Sequence, residues 1–139
     1  MSLQGIRTQI DNALAGIQGL NHSTVMPPAF TVPVAFPALN PTNAASYDLT
    51  AGNAALVYHF YIEVIVNKGI SLEQAQDELD PYLHPSGEQS IKQAIEGIDA
   101  PNDDFDVCRV MNVSNYGAAT YGGTEYLGVR FLVDFWTSN

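Results

Sequence analysis

The sequence predicts one α+β domain, in which an antiparallel β-sheet of about four strands has helices packed on one face. Three observations predict this fold class. Apolar residues recur every three or four positions near the N-terminus, apolar and polar residues alternate in three later stretches, and two short helix-like stretches follow the first of these. A chain of 139 residues is an ordinary length for one core, so we expect residues 1–139 to form a single domain.

The first predicted element is an amphipathic helix at the N-terminus. Ser2 can cap its start, and Gly19 suits its end. Its apolar residues are spaced by three and four positions and define one face, which consists of Leu3, Ile6, Ile10, Ala13, Leu14 and Ile17.

Residues 21–54 have a different composition, with prolines throughout and Asn, Thr and Ala between them. The short piece FTVPVAF could form a strand. Because Pro33 has no backbone N–H to donate, such a strand is confined to a sheet edge or a bulge. The rest of this segment is predicted to be an ordered loop, or an arm that lies on a neighbouring subunit.

Three further strands are predicted from alternation. The clearest covers residues 55–66, where His59, Tyr61 and Glu63 lie opposite a wholly apolar face. The second covers residues 105–113. The third has one apolar face, which consists of Leu127, Val129, Phe131, Val133 and Phe135. The stretch NYGAATYGGTEY between the last two strands is rich in Gly and Tyr and suits a hairpin connection or a bulge.

Two short central helices are predicted from capping boxes, in which a Ser and a Gln three residues later satisfy the first backbone N–H groups. Ser71 with Gln74 opens the stretch SLEQAQDELDPYL. Ser86 with Gln89 is predicted to open the second helix, and Gly97 closes it. The corner between the two helices is predicted to fix their relative angle.

The charge balance argues against one class of function. The chain has five Lys and Arg residues against fifteen Asp and Glu, which gives a formal net charge of −10. Since affinity for nucleic acid depends largely on clustered cations, binding of the phosphate backbone is not expected as a main function. An acidic balance also favours solubility.

The single cysteine excludes two kinds of structural site. Cys108 cannot form an intrachain disulfide or supply a cluster of zinc thiolates, and its strand-like surroundings predict a buried apolar residue. The N-terminus lacks the pattern of a secretory signal, and the longest apolar run is broken by His59 and Glu63. We therefore expect a soluble protein that is made inside the cell.

No catalytic, metal or cofactor site is predicted. His22, His59 and His84 have no metal-ligand spacing, and His59 is expected to be an ordinary half-buried histidine. The motif GxSxG is absent, and Ser86 is explained as a helix cap. An acidic loop could hold calcium through its oxygen ligands, and it contains Asp99, Asn102, Asp103, Asp104 and Asp106. A solvated turn is the preferred interpretation of this loop. The chain is predicted not to be an enzyme.

Aromatic residues in turns and at strand ends predict contacts with other proteins, because large amphipathic rings are enriched at interfaces. Each ring could instead cover an end of the sheet. Together with the corner between the central helices, they give a set of candidate subunit or tail interface residues, which are Tyr82, His84, Pro85, Tyr116, Tyr121 and Trp136.

Several segments in a fixed order resemble a known family. They are DPYLHPSGEQSIKQAIEG, an acidic loop, a strand with CRVMNV, an NYG turn and GGTEYLGVRFLVDFW, within about residues 55–136. This order resembles that of tail terminator proteins of long-tailed bacteriophages, which belong to the neck, or head-to-tail connector. The proline-rich segment 21–54 is longer than expected for that family.

The resemblance implies a small α+β fold that assembles as a ring, usually a hexamer, on the head-proximal end of the tail tube. Such a ring stops polymerisation of the tube protein and provides the docking surface for the head connector or stopper protein. DNA would pass through the lumen without specific binding, and an acidic lumen would keep it mobile. The implied location is the virion, after assembly in the host cytoplasm and without membrane contact.

Two alternatives remain open from the sequence. Another neck component, such as a stopper, head-completion or tail-completion protein, would occupy the same joint, and residues 38–54 and 115–125 are the candidates for a gating loop. A small ligand-binding or hydrolytic domain would instead use His84, Ser86 and nearby acidic residues. That domain would be a monomer or dimer with a concave polar pocket.

Overall fold

The fold is an α+β arrangement, as predicted, but the sheet in the described residues has six strands and is mixed rather than purely antiparallel. A computed structural model describes residues 3–29, 31–48, 55–68 and 71–138. The elements are α1 (Leu3–Leu14), β1 (Asn21–His22), β2 (Val34–Leu39), β3 (Ala45–Asp48), β4 (Ala55–Asn67), α2 (Leu72–Leu79), a 3-10 turn (Asp80–Leu83), α3 (Ile91–Glu96), β5 (Val107–Tyr121) and β6 (Thr124–Ser138).

The sheet is built around β4, which pairs with β6 along its whole length. The strand order is β1-β2-β4-β6-β5, and β3 pairs with the first part of β4. Since β6 occupies one edge of β4, β2 and β3 follow each other along the other edge. All pairs are antiparallel except β1 with β2.

The described part of segment 21–54 corrects the prediction of a loop or arm, because it contributes three strands to the sheet. Strand β2 contains only the last three residues of FTVPVAF. It pairs with β4 along its length, whereas β1 pairs with it only at Val34 and Ala35. Pro33 precedes β2, and its carbonyl accepts a hydrogen bond from the Asn21 amide at 2.9 Å. Strands β1 and β3 are too short to produce a period in the sequence.

One face of the sheet, called the helix face here, holds the main core. The predicted apolar sides of β4 and β6 lie on it, and Ile6, Ile10 and Leu14 of α1 are fully buried there, as the helical period predicts. Phe135 makes edge-to-face contacts with Phe60 and Phe105, at ring-centre distances of 5.4 and 4.9 Å. These geometries add to the free energy of apolar burial. The predicted cap Ser2 lies outside the described residues.

Cys108 is buried beside α3, as predicted, and its thiol lies 3.4 Å from the Ile95 carbonyl. Burial and the nearby Glu96 carboxylate raise the pKa of this thiol to about 11. A thiol with such a pKa stays protonated and unreactive at neutral pH.

The acidic loop before β5 fastens α1 to the sheet. The Asn102 side chain accepts hydrogen bonds from the backbone N–H groups of Asp104 and Phe105, at 2.9 and 3.1 Å. It also exchanges two hydrogen bonds of 3.0 Å with the Gln9 amide of α1. The Asp104 carboxylate lies against Gly5, where a Cβ would overlap it. The loop is therefore a packed turn rather than a purely solvated one.

The corner between the central helices is capped differently from the prediction. Ser71 caps α2 as expected, with Gln74 N donating to its hydroxyl at 3.2 Å. The second helix begins at Ile91, however, and Ser90 is its N-cap rather than Ser86. Gln93 N donates to the Ser90 hydroxyl at 3.0 Å.

Tertiary contacts explain the choice of Ser90. Its side chain is buried, and its hydroxyl donates to the His84 carbonyl at 2.5 Å, which ties the start of α3 to the end of the 3-10 turn. The Gln93 side chain accepts a hydrogen bond of 2.9 Å from Gly87 N. Ser86 is exposed. Both ends of the HPSG corner are thus held by α3.

Replacing Ser90 with alanine is expected to lower the free energy of unfolding by about 1–2 kcal/mol, because a buried cap and its second hydrogen bond are lost. Ser86→Ala is the matched control and is expected to change it by less than about 0.5 kcal/mol. Urea unfolding followed by circular dichroism measures both values. A larger loss for Ser86→Ala would show that the predicted cap was correct after all.

Candidate functional site

The longest sheet edge without a described partner strand is the outer edge of β5. Strand β5 pairs with β6 on one side only, and no other described strand lies beside it. Two bulges, between Val110 and Asn112 and between Ser114 and Gly117, interrupt the pairing. Asn115 lies in the second bulge with a φ of 56°. Bulges of this kind bend a strand and turn its side chains outward.

Exposed apolar side chains are concentrated on this strand. Eight large apolar residues are exposed in the described part of the chain, and four of them lie on β5. Together with the outer side of the strand they form the surface called the β5 edge, whose apolar members are Val107, Met111, Val113 and Tyr116. On this strand Val110 N already donates a hydrogen bond of 3.0 Å to the Glu96 carboxylate. Exposed strands with apolar side chains readily pair with another chain.

Two of the predicted interface residues lie on or beside this surface. The Tyr116 hydroxyl donates to Asp80 at 2.8 Å, while the ring remains exposed. Burial of the hydroxyl and the Asp80 carboxylate raise the pKa of Tyr116 to about 12. Trp136 is half-buried and lies opposite Val57 on one side and Val107 on the other.

The corner residues are only partly accessible. Tyr82 was predicted to be an interface residue, but its side chain is 2% exposed and belongs to the main core. The 3-10 turn directs the ring toward the sheet, so this prediction was wrong for the isolated chain. Burial raises the pKa of Tyr82, and Glu78 adds to the effect. His84 and Pro85 are exposed.

The face opposite the helices, called the open face here, holds Tyr121, another of the predicted interface residues. Tyr121 packs against Tyr126, with ring centres 6.5 Å apart, and its hydroxyl is hydrogen-bonded to Glu63. Burial and the Glu63 carboxylate raise the pKa of Tyr121. Glu63 is 5% exposed and faces Arg130, whose Nε lies 3.8 Å from its carboxylate. The Arg130 guanidinium also lies 4.5 Å from the Tyr61 ring centre.

A chain of hydrogen bonds crosses three strands on the same face. The Ser46 hydroxyl of β3 lies 2.9 Å from Nε2 of His59 on β4. Nδ1 of His59 lies 2.6 Å from the Asp134 carboxylate on β6. Because an ionised carboxylate can only accept, Nδ1 carries the proton, and Nε2 of a neutral imidazole is left to accept from Ser46.

Sequence reasoning missed this arrangement and treated His59 as an isolated histidine. The half-buried position of His59 agrees with the prediction, but its two partners do not follow from any local motif. Ser46 is 13 residues away and Asp134 is 75 residues away. Only the register of β4 against β6, in which His59 is directly opposite Asp134, brings the pair together.

The residues of the sequence-based hydrolytic alternative do not form a site of this kind. His84 and Ser86 are exposed at the rim of a shallow depression of about 410 Å³, beside Gln18, Pro81 and Gln89. The residues 3–29, 31–48, 55–68 and 71–138 contain no group of three or more His, Cys, Asp or Glu side chains placed to hold a metal ion. Within these same ranges, no helix is both long and apolar enough to cross a bilayer.

No protein-family model matches the sequence, and no curated protein matches it at a significant level. The β5 edge and the open face are therefore the features of the molecule that bear on its function.

Replacing Arg130 with methionine is expected to lower the free energy of unfolding by about 2 kcal/mol, because it leaves the Glu63 carboxylate buried without its cation. A second change, Glu63→Gln, should recover part of this loss in a double-mutant cycle. Lys68→Met breaks the exposed ion pair with Glu125 and should lower the free energy of unfolding by less than about 1 kcal/mol. Equal losses for Arg130→Met and Lys68→Met in urea unfolding would contradict a special role for the buried carboxylate.

Proposed function

We propose that this chain is a structural virion protein, a tail terminator that forms a ring on the head-proximal end of a phage tail tube. The observation that supports the proposal most is the β5 edge, a strand of 15 residues that is paired on one side only and bears four exposed apolar side chains. A surface of this kind suits an assembly subunit better than an isolated monomer.

Ring formation would use the β5 edge by strand addition. Backbone groups of β5 that do not face β6 would hydrogen-bond to an edge of the next copy, and the exposed side chains would become buried. Because a different surface of the neighbour would be used, the contact is head-to-tail, and such contacts close into rings when the rotation permits. The resemblance to tail terminators implies six copies.

Termination and docking would then depend on shape. One face of the ring would match the last ring of tube protein, and the other face would offer no template for another tube ring. The second face would instead receive the head connector or stopper protein. No catalytic step or cofactor is required for this mechanism.

The charges suit a lumen that DNA passes without binding. The net charge is −10, and three of the five basic residues are already engaged with carboxylates. Lys68 pairs with Glu125, Lys92 with Glu96, and Arg130 with Glu63. Cations held in this way are poorly placed to form a phosphate-binding cluster, on which nucleic-acid affinity depends.

The structure of the candidate gating segments favours a terminator over a stopper. Residues 115–121 and 124–125 belong to strands β5 and β6, and only Gly122 and Gly123 connect them. Both glycines have positive φ, as a tight two-residue hairpin turn requires. In the other segment, residues 45–48 pair with β4, while residues 49–54 lie outside the described part.

Met111→Glu is expected to reduce ring formation at least about tenfold, because the β5 edge would carry a charge into the subunit contact. Met26→Glu is the matched control, since Met111 is 52% exposed and Met26 is 50% exposed but lies outside the strands. Light scattering after size-exclusion chromatography measures the ring-sized fraction, in the presence of tail tubes if the ring forms only there. Equal effects of the two changes would exclude the β5 edge as the contact.

The terminator function has a separate test in a tube polymerisation assay. Tail tube protein from the same phage is polymerised with and without this chain, and tube lengths are measured by electron microscopy. We expect shorter tubes with a ring at one end, and a weaker effect for Met111→Glu than for Met26→Glu. Rings that form but leave tube length unchanged would point to another neck component.

A further inference from the structure

We propose that Ser46, His59 and Asp134 form a nucleophilic site on the open face that accepts small acyl groups from esters. This inference does not depend on the tail terminator function. It rests on the hydrogen-bonded chain from Ser46 through His59 to Asp134, in which each imidazole nitrogen has the partner that nucleophilic catalysis requires.

The polarity of the chain supports a catalytic role. Asp134 accepts from Nδ1 of His59 at 2.6 Å, which fixes the tautomer and the orientation of the ring. Nε2 then lies 2.9 Å from the Ser46 hydroxyl and can take its proton. His22 makes an equally short contact of 2.6 Å with Asp11, but no serine of the described chain is hydrogen-bonded to its ring.

The three residues are positioned by paired strands, so the arrangement is rigid. Asp134 is directly opposite His59 in the β4–β6 ladder, and Ser46 is opposite Val57, which precedes His59 on the same face. The side chains of His59 and Asp134 are each about one-fifth exposed, and Ser46 is half-buried. A substrate can therefore approach Ser46 from solvent while the base and its carboxylate remain largely shielded.

The backbone N–H of Tyr47, the residue after the nucleophile, is the candidate donor for the developing oxyanion. The Ala44 carbonyl accepts from His59 N at 2.9 Å, so residues 44 and 46 direct their backbone groups toward β4. Alternation in an antiparallel pair directs the N–H of Tyr47 to the other side, where no described strand lies. An N–H on the residue after the nucleophile is a common oxyanion donor in serine hydrolases.

The acyl group has apolar contacts available in the same row of the sheet. Ser46, Val57, Trp136 and Val107 lie opposite one another on successive strands β3, β4, β6 and β5. Trp136 is half-buried and can contact a ligand, and Val107 is exposed in the single chain and can do so where the β5 edge is not covered. Because this surface is a sheet face rather than a deep cleft, it suits small acyl groups such as acetyl.

The proposed step balances as an acyl transfer. The Ser46 oxygen attacks the ester carbonyl and forms a C–O bond, while its proton passes to Nε2 of His59. The bond from carbonyl carbon to the alcohol oxygen breaks, and the alcohol leaves with that proton. Water then attacks the acylated Ser46 with His59 as base, which releases the carboxylic acid and restores the hydroxyl.

A fluorophosphonate probe tests the site directly, since Ser46 would displace fluoride and retain the phosphonyl group. We expect intact-protein mass spectrometry to show one added phosphonyl group on the folded chain, and peptide mapping to place it on Ser46. Protein denatured in guanidinium should not be labelled. Absence of labelling on the folded chain, or labelling that survives denaturation, would overturn the proposal.

Variants separate a nucleophilic site from a structural hydrogen-bond chain. Ser46→Ala should remove the label, and Asp134→Asn should slow labelling at least about 100-fold, because the imidazole would be left in the wrong tautomer. The exposed Ser86→Ala is the matched control and should be labelled at the wild-type rate at Ser46. The rate of p-nitrophenyl acetate hydrolysis should likewise be lost in Ser46→Ala, strongly lowered in Asp134→Asn and unchanged in Ser86→Ala. Equal rates for wild-type and Asp134→Asn protein, with both folded, would leave only a structural role.

Discussion

The pairing of β4 with β6 is the constraint on which the rest of the structure depends. It extends over 13 residue pairs and fixes which side chains share each face. On the helix face it places Phe60 near Phe135, where the main core forms. On the open face it sets His59 opposite Asp134 and Glu63 opposite Arg130. A slip of one residue would exchange the two faces and bring the charged groups under the helices. Core and polar surface are thus consequences of one register.

The same sheet leaves one long edge without a partner, and this edge links the fold to assembly. The β4 side of the sheet is covered by β2 and β3, whereas no described strand pairs with the other side of β5. Natural proteins usually protect such edges with charges, and the two bulges in β5 limit pairing only locally. The exposed apolar side chains of Met111 and Val113 instead favour pairing of this edge with another chain. An edge of this composition is best explained if another copy covers it, which is the basis of the proposed ring.

Features that depend on neighbouring residues in the sequence could be predicted, whereas features that depend on tertiary contacts could not. The faces of α1, β4 and β6 follow from their periods, and Ser71 follows from its capping box. The second cap could not be chosen locally, because Ser86 and Ser90 are each followed three residues later by a glutamine. Only the contact of Ser90 with the His84 carbonyl decides between them. Tyr82 was wrongly predicted to lie at an interface, because the 3-10 turn that points its ring inward has no distinct sequence pattern. The partners of His59 depend on strand register across 75 residues.

We propose that copies of this chain form a ring through the β5 edge at the end of a tail tube. An electron cryomicroscopy map of purified tails tests it most directly, because the fold can be placed in density at the head-proximal end. We expect a ring of this chain in which Met111 and Val113 are buried between neighbouring copies. A tail end without this chain, or a ring in which β5 faces solvent, would contradict it.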